Sequence, residues 1–415
     1  MRRILLLFAA ALQLSAGISP EYAARRDRLR AVLRNGVAVL FGAKESEDLH
    51  YAFFQEPNFF YLTGWEEPGA ILLVTPARDG DILFLPPRVP AEEKWTGPKL
   101  GPDEAQAREI TGFAKVLPTT SFDAELKALL AKYPGILTLP ADAGSPLLAN
   151  AAHGYATPDL RPFLSNLRME KSPDEIAKIR HATDASVDAH RAAWRSIHPG
   201  EYEYQLAAVM VGTYEGEGCR RSAYAPIVGS GPNSAILHYS RNSRRVDAGE
   251  VVVMDVGAEC DNYASDITRT IPADGRFSAR QREIYEVVLG AQRKAIAAVK
   301  PGMTLGRRTP NSLYKIAYDY IDSHGRDLHG DRLGRYFTHG LSHHVGLDVH
   351  DASDPQAPLK AGMVITIEPG IYIPEENIGV RIEDIVLVTK TGAKVLSAAL
   401  PVDPDEIERI LAQRK

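Results

Sequence analysis

Carboxylates interrupt apolar, β-branched runs at three points of the chain: Asp255 in VVVMDVG, Glu368 in VITIEPG and Glu383 in VRIEDIVLV. Continuous apolar runs of this kind are the pattern of buried strands. Asp266, in YASDITRT, follows Asp255 by 11 residues, a spacing that lets a hairpin set the two side by side. A buried carboxylate without a partner is costly, so each of the four needs an answering group. One such acid is ordinarily an internal salt bridge. Four are harder to answer, because the nearest cations in sequence are Arg269 and Arg381, and two guanidinium groups leave two negative charges over. Two divalent cations would instead match all four charges, and hard oxygen donors suit Mn²⁺ or a similar ion better than copper. Imidazole is supplied by HGLSHHVGLDVHD, residues 339–351, where four of the chain's 12 histidines fall close together. The plainer reading of that segment alone is an exposed polar loop. No H-E-x-x-H string, G-x-S-x-G elbow or G-x-x-x-x-G-K-[ST] phosphate loop occurs, which excludes a zinc protease of the first type and argues against a serine hydrolase or nucleotide enzyme.

Such residues need strands and helices to carry them. The chain has 415 residues, 45% hydrophobic and 24% charged, enough for a large core and two or three domains at roughly 150 residues each. Its formal charge of −5 lacks the basic excess that nucleic acid or an anionic membrane requires, so neither is an expected partner. Residues 1–17 read as a secretory signal peptide: Arg2 and Arg3, the apolar run ILLLFAAALQL, then the small residues Ser15, Ala16 and Gly17. Export to a periplasm or the outside follows from that reading, with no later segment apolar enough to span a bilayer. Cys219 and Cys260 make neither a disulfide framework nor a zinc-thiolate site, and their pairing stays open. Up to about residue 156, short apolar runs (VAVLFG, AILLVTP, DILFLPP, GILTLPA) alternate with helical stretches such as residues 121–132, the pattern of an α/β domain. Residues 133–162 turn rich in Pro, Gly and Ala, a boundary signal. Ser172-Pro173-Asp174-Glu175 then opens a capped helix, and the order helix, Pro-Gly turn, helix, strands occurs twice, around Pro199 and again around Pro301. Two related halves would place a concave site at their seam.

Taken together, these residues resemble the metallopeptidases of the pita-bread fold, specifically the Xaa-Pro aminopeptidases (aminopeptidase P) and the related prolidases. ILHY at 236–239, MDVGAECDNYASDITRT, HGLSHHVGLDVHD, ITIEPGIYI and GVRIEDIVLV stand in that family's order. The resemblance implies an α/β (α+β) architecture: an N-terminal aminopeptidase P domain over residues 18–160, then a pita-bread catalytic domain over 161–415 with pseudo-twofold related halves. It implies two divalent ions, usually Mn²⁺, held by Asp255, Asp266, His343, Glu368 and Glu383, with Asp266 and Glu383 bridging. The implied reaction is removal of the residue ahead of a proline by a metal-activated hydroxide, with Glu368 as proton carrier. His238, His339 and His350 resemble the histidines that hold substrate and stabilise the developing oxyanion, and Arg381 would orient the ligands. His344 has no counterpart role. YAARRDRLR and NFFYLTGWEEPGAILLV resemble the non-catalytic domain of aminopeptidase P, which favours peptides with an Xaa-Pro N-terminus over the prolidase alternative, an Xaa-Pro dipeptidase. Family members commonly form dimers or tetramers, so a homo-oligomer is expected. A pita-bread protein that only binds peptides is the remaining reading, and the five ligand-capable positions argue against it.

Overall fold

The computed structural model describes residues 19–414 apart from residues 47, 49, 51 and 355; the proposed signal segment lies outside the described residues. The chain divides into two compact units between Leu167 and Arg168. That division falls inside the helix Arg161–Met169 rather than at residue 160. The Pro, Gly and Ala-rich stretch is not a linker: it folds as the strand Gly135–Thr138 and the short helices Pro140–Ala143 and Pro146–Ala151.

In the first unit five short strands form one mixed sheet, in the order Lys115–Pro118, Ile82–Leu85, Ile71–Val74, Gly36–Phe41, Gly135–Thr138. The inner pairings are antiparallel and each outer strand joins in parallel. Four of the strands are the apolar runs read from the sequence. The fifth, Lys115–Pro118, is an edge strand with only Val116 fully buried, so it carries too little apolar signal to stand out. The helix Phe122–Lys132 covers the sheet through Phe122, Leu126 and Leu130, a spacing of four that aligns them on one face. Phe122 meets Phe84 edge to face at 5.5 Å.

The second unit repeats its elements. The helices Pro173–Ser196 and Glu203–Gly216 lead to an antiparallel sheet of Ile227–Ser230, Val251–Asp255 and Thr268–Pro272. The helices Ala279–Ala298 and Leu313–Ser323 lead to Val364–Ile367, Asp384–Val388 and Ala393–Val395, with the ribbon Gly370–Ile373 and Ile378–Arg381 beside them. The first helix of each half opens with a capping box, Ser172 with Glu175 and Ser278 with Gln281, each pair closing two hydrogen bonds of 2.9 and 3.2 Å. Two buried strands join the halves: the N–H of Glu383 donates to the carbonyl of Thr268 at 3.0 Å, and the N–H of Arg381 to Thr270 Oγ1 at 3.0 Å. Here backbone meets backbone closely. A Cβ on Gly379 would lie 1.9 Å from the carbonyl oxygen of Ser234, and one on Gly257 would lie 1.9 Å from that of Ser265. Cys219, just beyond the helix Glu203–Gly216, forms a buried disulfide with Cys260 at the end of the strand Ala258–Cys260. Among the described residues no helix is long and apolar enough to cross a membrane.

Candidate metal centre

Each acid sits at or beside the end of a strand, and Glu383 bonds across the halves to Thr268. Asp255 is the last residue of Val251–Asp255, in register with Thr268. Asp266 precedes Thr268–Pro272, Glu368 follows Val364–Ile367, and Glu383 lies between Ile378–Arg381 and Asp384–Val388. Strand ends hold these side chains on a rigid frame while removing them from the flat of the sheet. The anticipated hairpin forms: Asp255 faces Thr268 and Cys260 faces Tyr263 in one antiparallel register, and the two acids are linked by Tyr224. Its hydroxyl lies 2.5 Å from Asp255 Oδ1 and 2.6 Å from Asp266 Oδ1.

The remaining contacts tie the acids into one cluster. His343 Nε2 lies 3.3 Å from Asp266 Oδ2 and 3.4 Å from Glu368 Oε1. Asp266, His343 and Glu383 each bring a ligand atom within 4.8 Å of the others. Thr268 Oγ1 donates to Glu383 Oε2 at 2.6 Å and Thr366 Oγ1 to Glu368 Oε1 at 3.1 Å. Arg381 Nη2 donates to Asp255 Oδ2 at 2.6 Å, and its Nη1 to the Tyr372 hydroxyl at 2.9 Å. His339 Nε2 meets that same hydroxyl at 2.8 Å, while its Nδ1 lies 3.4 Å from Glu368 Oε2. His238 and His350 stand exposed at the mouth. All nine residues singled out in the sequence line one cleft of about 310 Å³. A smaller hollow of about 220 Å³ shares His238, Asp255, Asp266 and His350 and adds Tyr224, Ile227 and Val349. The first unit contains a larger cavity, about 740 Å³, but its lining carries no acid or histidine.

Two sequence expectations change. Arg269 does not answer the four acids: its guanidinium pairs with Asp384 at 2.7 Å and with backbone carbonyls, including that of Glu383. The charge balance also shifts, because Arg381 already neutralises Asp255. Tyr372, Thr268 and Thr366 went unread, since a Tyr or Thr in an apolar run is ordinary strand composition, and Tyr224 went unread because it lies in a bend outside any motif. His344, to which no role was given, is buried with its backbone bridged to Ile365.

Electrostatics shows how crowded the acids are. Burial, then the neighbouring charge of Asp255, raises the Asp266 carboxyl to about 6. Burial and the charges of Asp266, Glu368 and Asp255 hold Glu383 well above the carboxylate range. Burial alone would raise Glu368 too, but His339, His343 and Arg381 outweigh it and keep that group low. The His343 imidazole is desolvated, yet Asp266 and Glu368 hold it up at about 9. Crowded acids of this kind relax once a cation sits between them, and carboxylate oxygens with one imidazole are the donors that hard divalent ions take. The residues present therefore fit a pair of divalent cations.

Beneath the site, Asp351 anchors the histidine segment. It is buried between Arg168 and Lys171, with Lys171 Nζ at 2.8 Å. Its N–H donates to the carbonyl of His344 at 2.9 Å.

Residues 177–390 match the model of metallopeptidase family M24, and residues 22–137 match the aminopeptidase P N-terminal domain. The chain belongs to metallopeptidase family M24. Among M24 relatives, an Xaa-Pro aminopeptidase of Haemophilus influenzae is 38% identical, over 94% of this chain and 97% of its own length. The structure of Escherichia coli aminopeptidase P with the inhibitor Pro-Leu is similar at a TM-score of 0.84 and 30% identity, covering 95% of this chain and 99% of that one. A zinc-substituted form of the E. coli enzyme in complex with product is similar at 0.85 and 30%, covering 96% and 99%. An N-terminal α/β domain followed by a pita-bread catalytic domain is thus the architecture of this M24 member.

Proposed function

We propose that this M24 enzyme removes the first residue from peptides whose second residue is proline, using two divalent cations held by Asp255, Asp266, His343, Glu368 and Glu383. In this reading Asp266 and Glu383 would serve both ions, while Asp255 would complete one site and His343 and Glu368 the other. Manganese is our preferred ion, on the hardness of the donors. When bound, the ions bring a water's pKa toward neutrality and polarise the scissile carbonyl. With Arg381 answering one of the four acids, such a centre holds one positive charge in excess, suited to the negative charge that builds on the carbonyl oxygen.

The chain's own groups do the rest. Glu368, held deprotonated by His339 and Arg381, takes the proton of the attacking water. It then delivers that proton to the proline nitrogen, which has no hydrogen of its own and cannot leave without one. His238 and His350, at the mouth, bind the substrate backbone and donate to the oxygen of the tetrahedral species. Arg381 fixes Asp255 and, through Tyr372, the ring of His339.

The convergence of three buried acids, the partly buried Glu368 and His343 in one cleft carries this reading, and the Xaa-Pro aminopeptidase relatives support it. Export belongs to the same proposal: the Arg2-Arg3 start and apolar run support it, as does the buried Cys219–Cys260 bridge, which suits an oxidising compartment. We also propose assembly as a dimer or tetramer, to be checked by light scattering. The deciding experiment measures bound metal alongside release of the first residue from an Xaa-Pro-Yaa peptide and from an Xaa-Pro dipeptide. The longer peptide is expected to be cut; cleavage of the dipeptide alone would overturn the preference.

A further inference from the structure

His238 reaches the cleft from an irregular segment, and its exposed ring makes no hydrogen bond among the described residues. Its placement therefore comes from the backbone that carries it. That segment, residues 230–244, leaves the end of Ile227–Ser230, passes through the 3₁₀ turn Gly231–Ala235 and returns toward Val251–Asp255. Its beginning, middle and end converge on one carboxylate. Glu203, fully buried, accepts at Oε1 from the Ser230 N–H (2.8 Å), the Ser230 hydroxyl (2.8 Å) and Asn233 Nδ2 (3.0 Å). At Oε2 it accepts from the Tyr239 hydroxyl (2.7 Å) and the Arg244 N–H (2.8 Å). Tyr239 adjoins His238 in the chain. The Arg244 guanidinium is turned to Glu250, at 2.6 and 2.7 Å, so Glu203 is satisfied chiefly by hydrogen bonds from the segment itself.

A buried carboxylate with five donors is held firmly, because losing it strands all five at once. Glu203 is also the first residue of the helix Glu203–Gly216, whose N-terminus favours negative charge and fixes the anchor to a rigid element. Its own N–H donates to the carbonyl of Arg244 at 3.0 Å, closing the segment's return.

We propose that Glu203 is a positioning residue for His238: it ties both ends of the 230–244 segment and Tyr239 to one point, and so sets the ring against the substrate. This rests on the reading that His238 contacts substrate. The test is a double-mutant cycle on the metal-loaded full chain, reading kcat and KM for an Xaa-Pro-Yaa peptide, bound metal and melting temperature. Glu203→Gln keeps the shape but turns an amide N–H₂ toward donors. It is expected to lower kcat by about 10- to 100-fold with metal content unchanged. In a His238→Ala background the same change is expected to cost less than about threefold, because the group it positions is gone. Equal losses in both backgrounds would overturn the proposal and leave Glu203 a purely structural residue. A silent His238→Ala would overturn it differently, by removing the reading of His238 itself. Should Glu203→Gln fail to fold, Tyr239→Phe takes its place in the cycle: a loss that vanishes without His238 supports the proposal, and an additive loss overturns it.

Discussion

Asp351 and the pair Asp266 and Glu383 are buried acids of the same unit, yet they stand in opposite electrostatic states. Burial pushes against ionisation at Asp351 too, but Arg168 and Lys171 outweigh it and hold the carboxyl at about 2. Asp266 and Glu383 face other carboxylates, and both are raised. The difference separates a structural acid from one that awaits a ligand. Where the protein supplies the counter-charge the fold is served, and where it withholds the counter-charge an external cation is required.

The comparison can be broken most decisively at Glu368. Glu368→Gln is expected to lower turnover by about 10²- to 10⁴-fold, read as release of the first residue from an Xaa-Pro-Yaa peptide. Asp266→Ala and Glu383→Ala are expected to lose activity and bound metal together, measured by elemental analysis. An Asp266→Ala protein that kept two metals and full activity would show that the acids are not ligands. Asp351→Ala should lower the unfolding free energy by about 3 kcal/mol in urea, because it strands two buried cations. The smallest effects are in pH. The folded carboxyl of Asp351 lies below its unfolded value, so its contribution, about 2 kcal/mol, is present above about pH 4 and fades as pH falls toward 2. Asp266 has the reverse sign. Its folded pKa is raised, so the chelator-treated protein should gain stability as pH falls from about 7 toward 4, and metal should flatten that slope. Urea titrations with and without chelator check both arms.

Much of the centre was legible because chemistry broke pattern. Several acids inside β-branched runs outnumber the cations near them, so Asp255, Glu368 and Glu383 announced themselves together, and the clustered histidines did the same. Helix starts at Ser172 and Ser278 were equally plain, since a capping box is a local device. What stayed hidden depends on contacts distant in sequence. Nothing near Arg269 says that it will choose Asp384 over the cleft, and Tyr224, in the bend before Ile227–Ser230, belongs to no motif until it reaches two carboxylates. Composition is a weak guide to residues 133–162 for a related reason: the stretch reads like a linker, while burial of Ile136, Leu148 and Leu160 makes it part of the first unit's core.

The seam at Gly379 and Ser234 carries one more consequence. Because the strand bearing Arg381 touches the His238 segment through bare main chain, with no room for even a methyl group, the two pieces cannot drift apart by gradual substitution. Anyone reshaping substrate preference by transplanting that segment from a homologue would have to move its facing strand along with it, since each is the mould of the other.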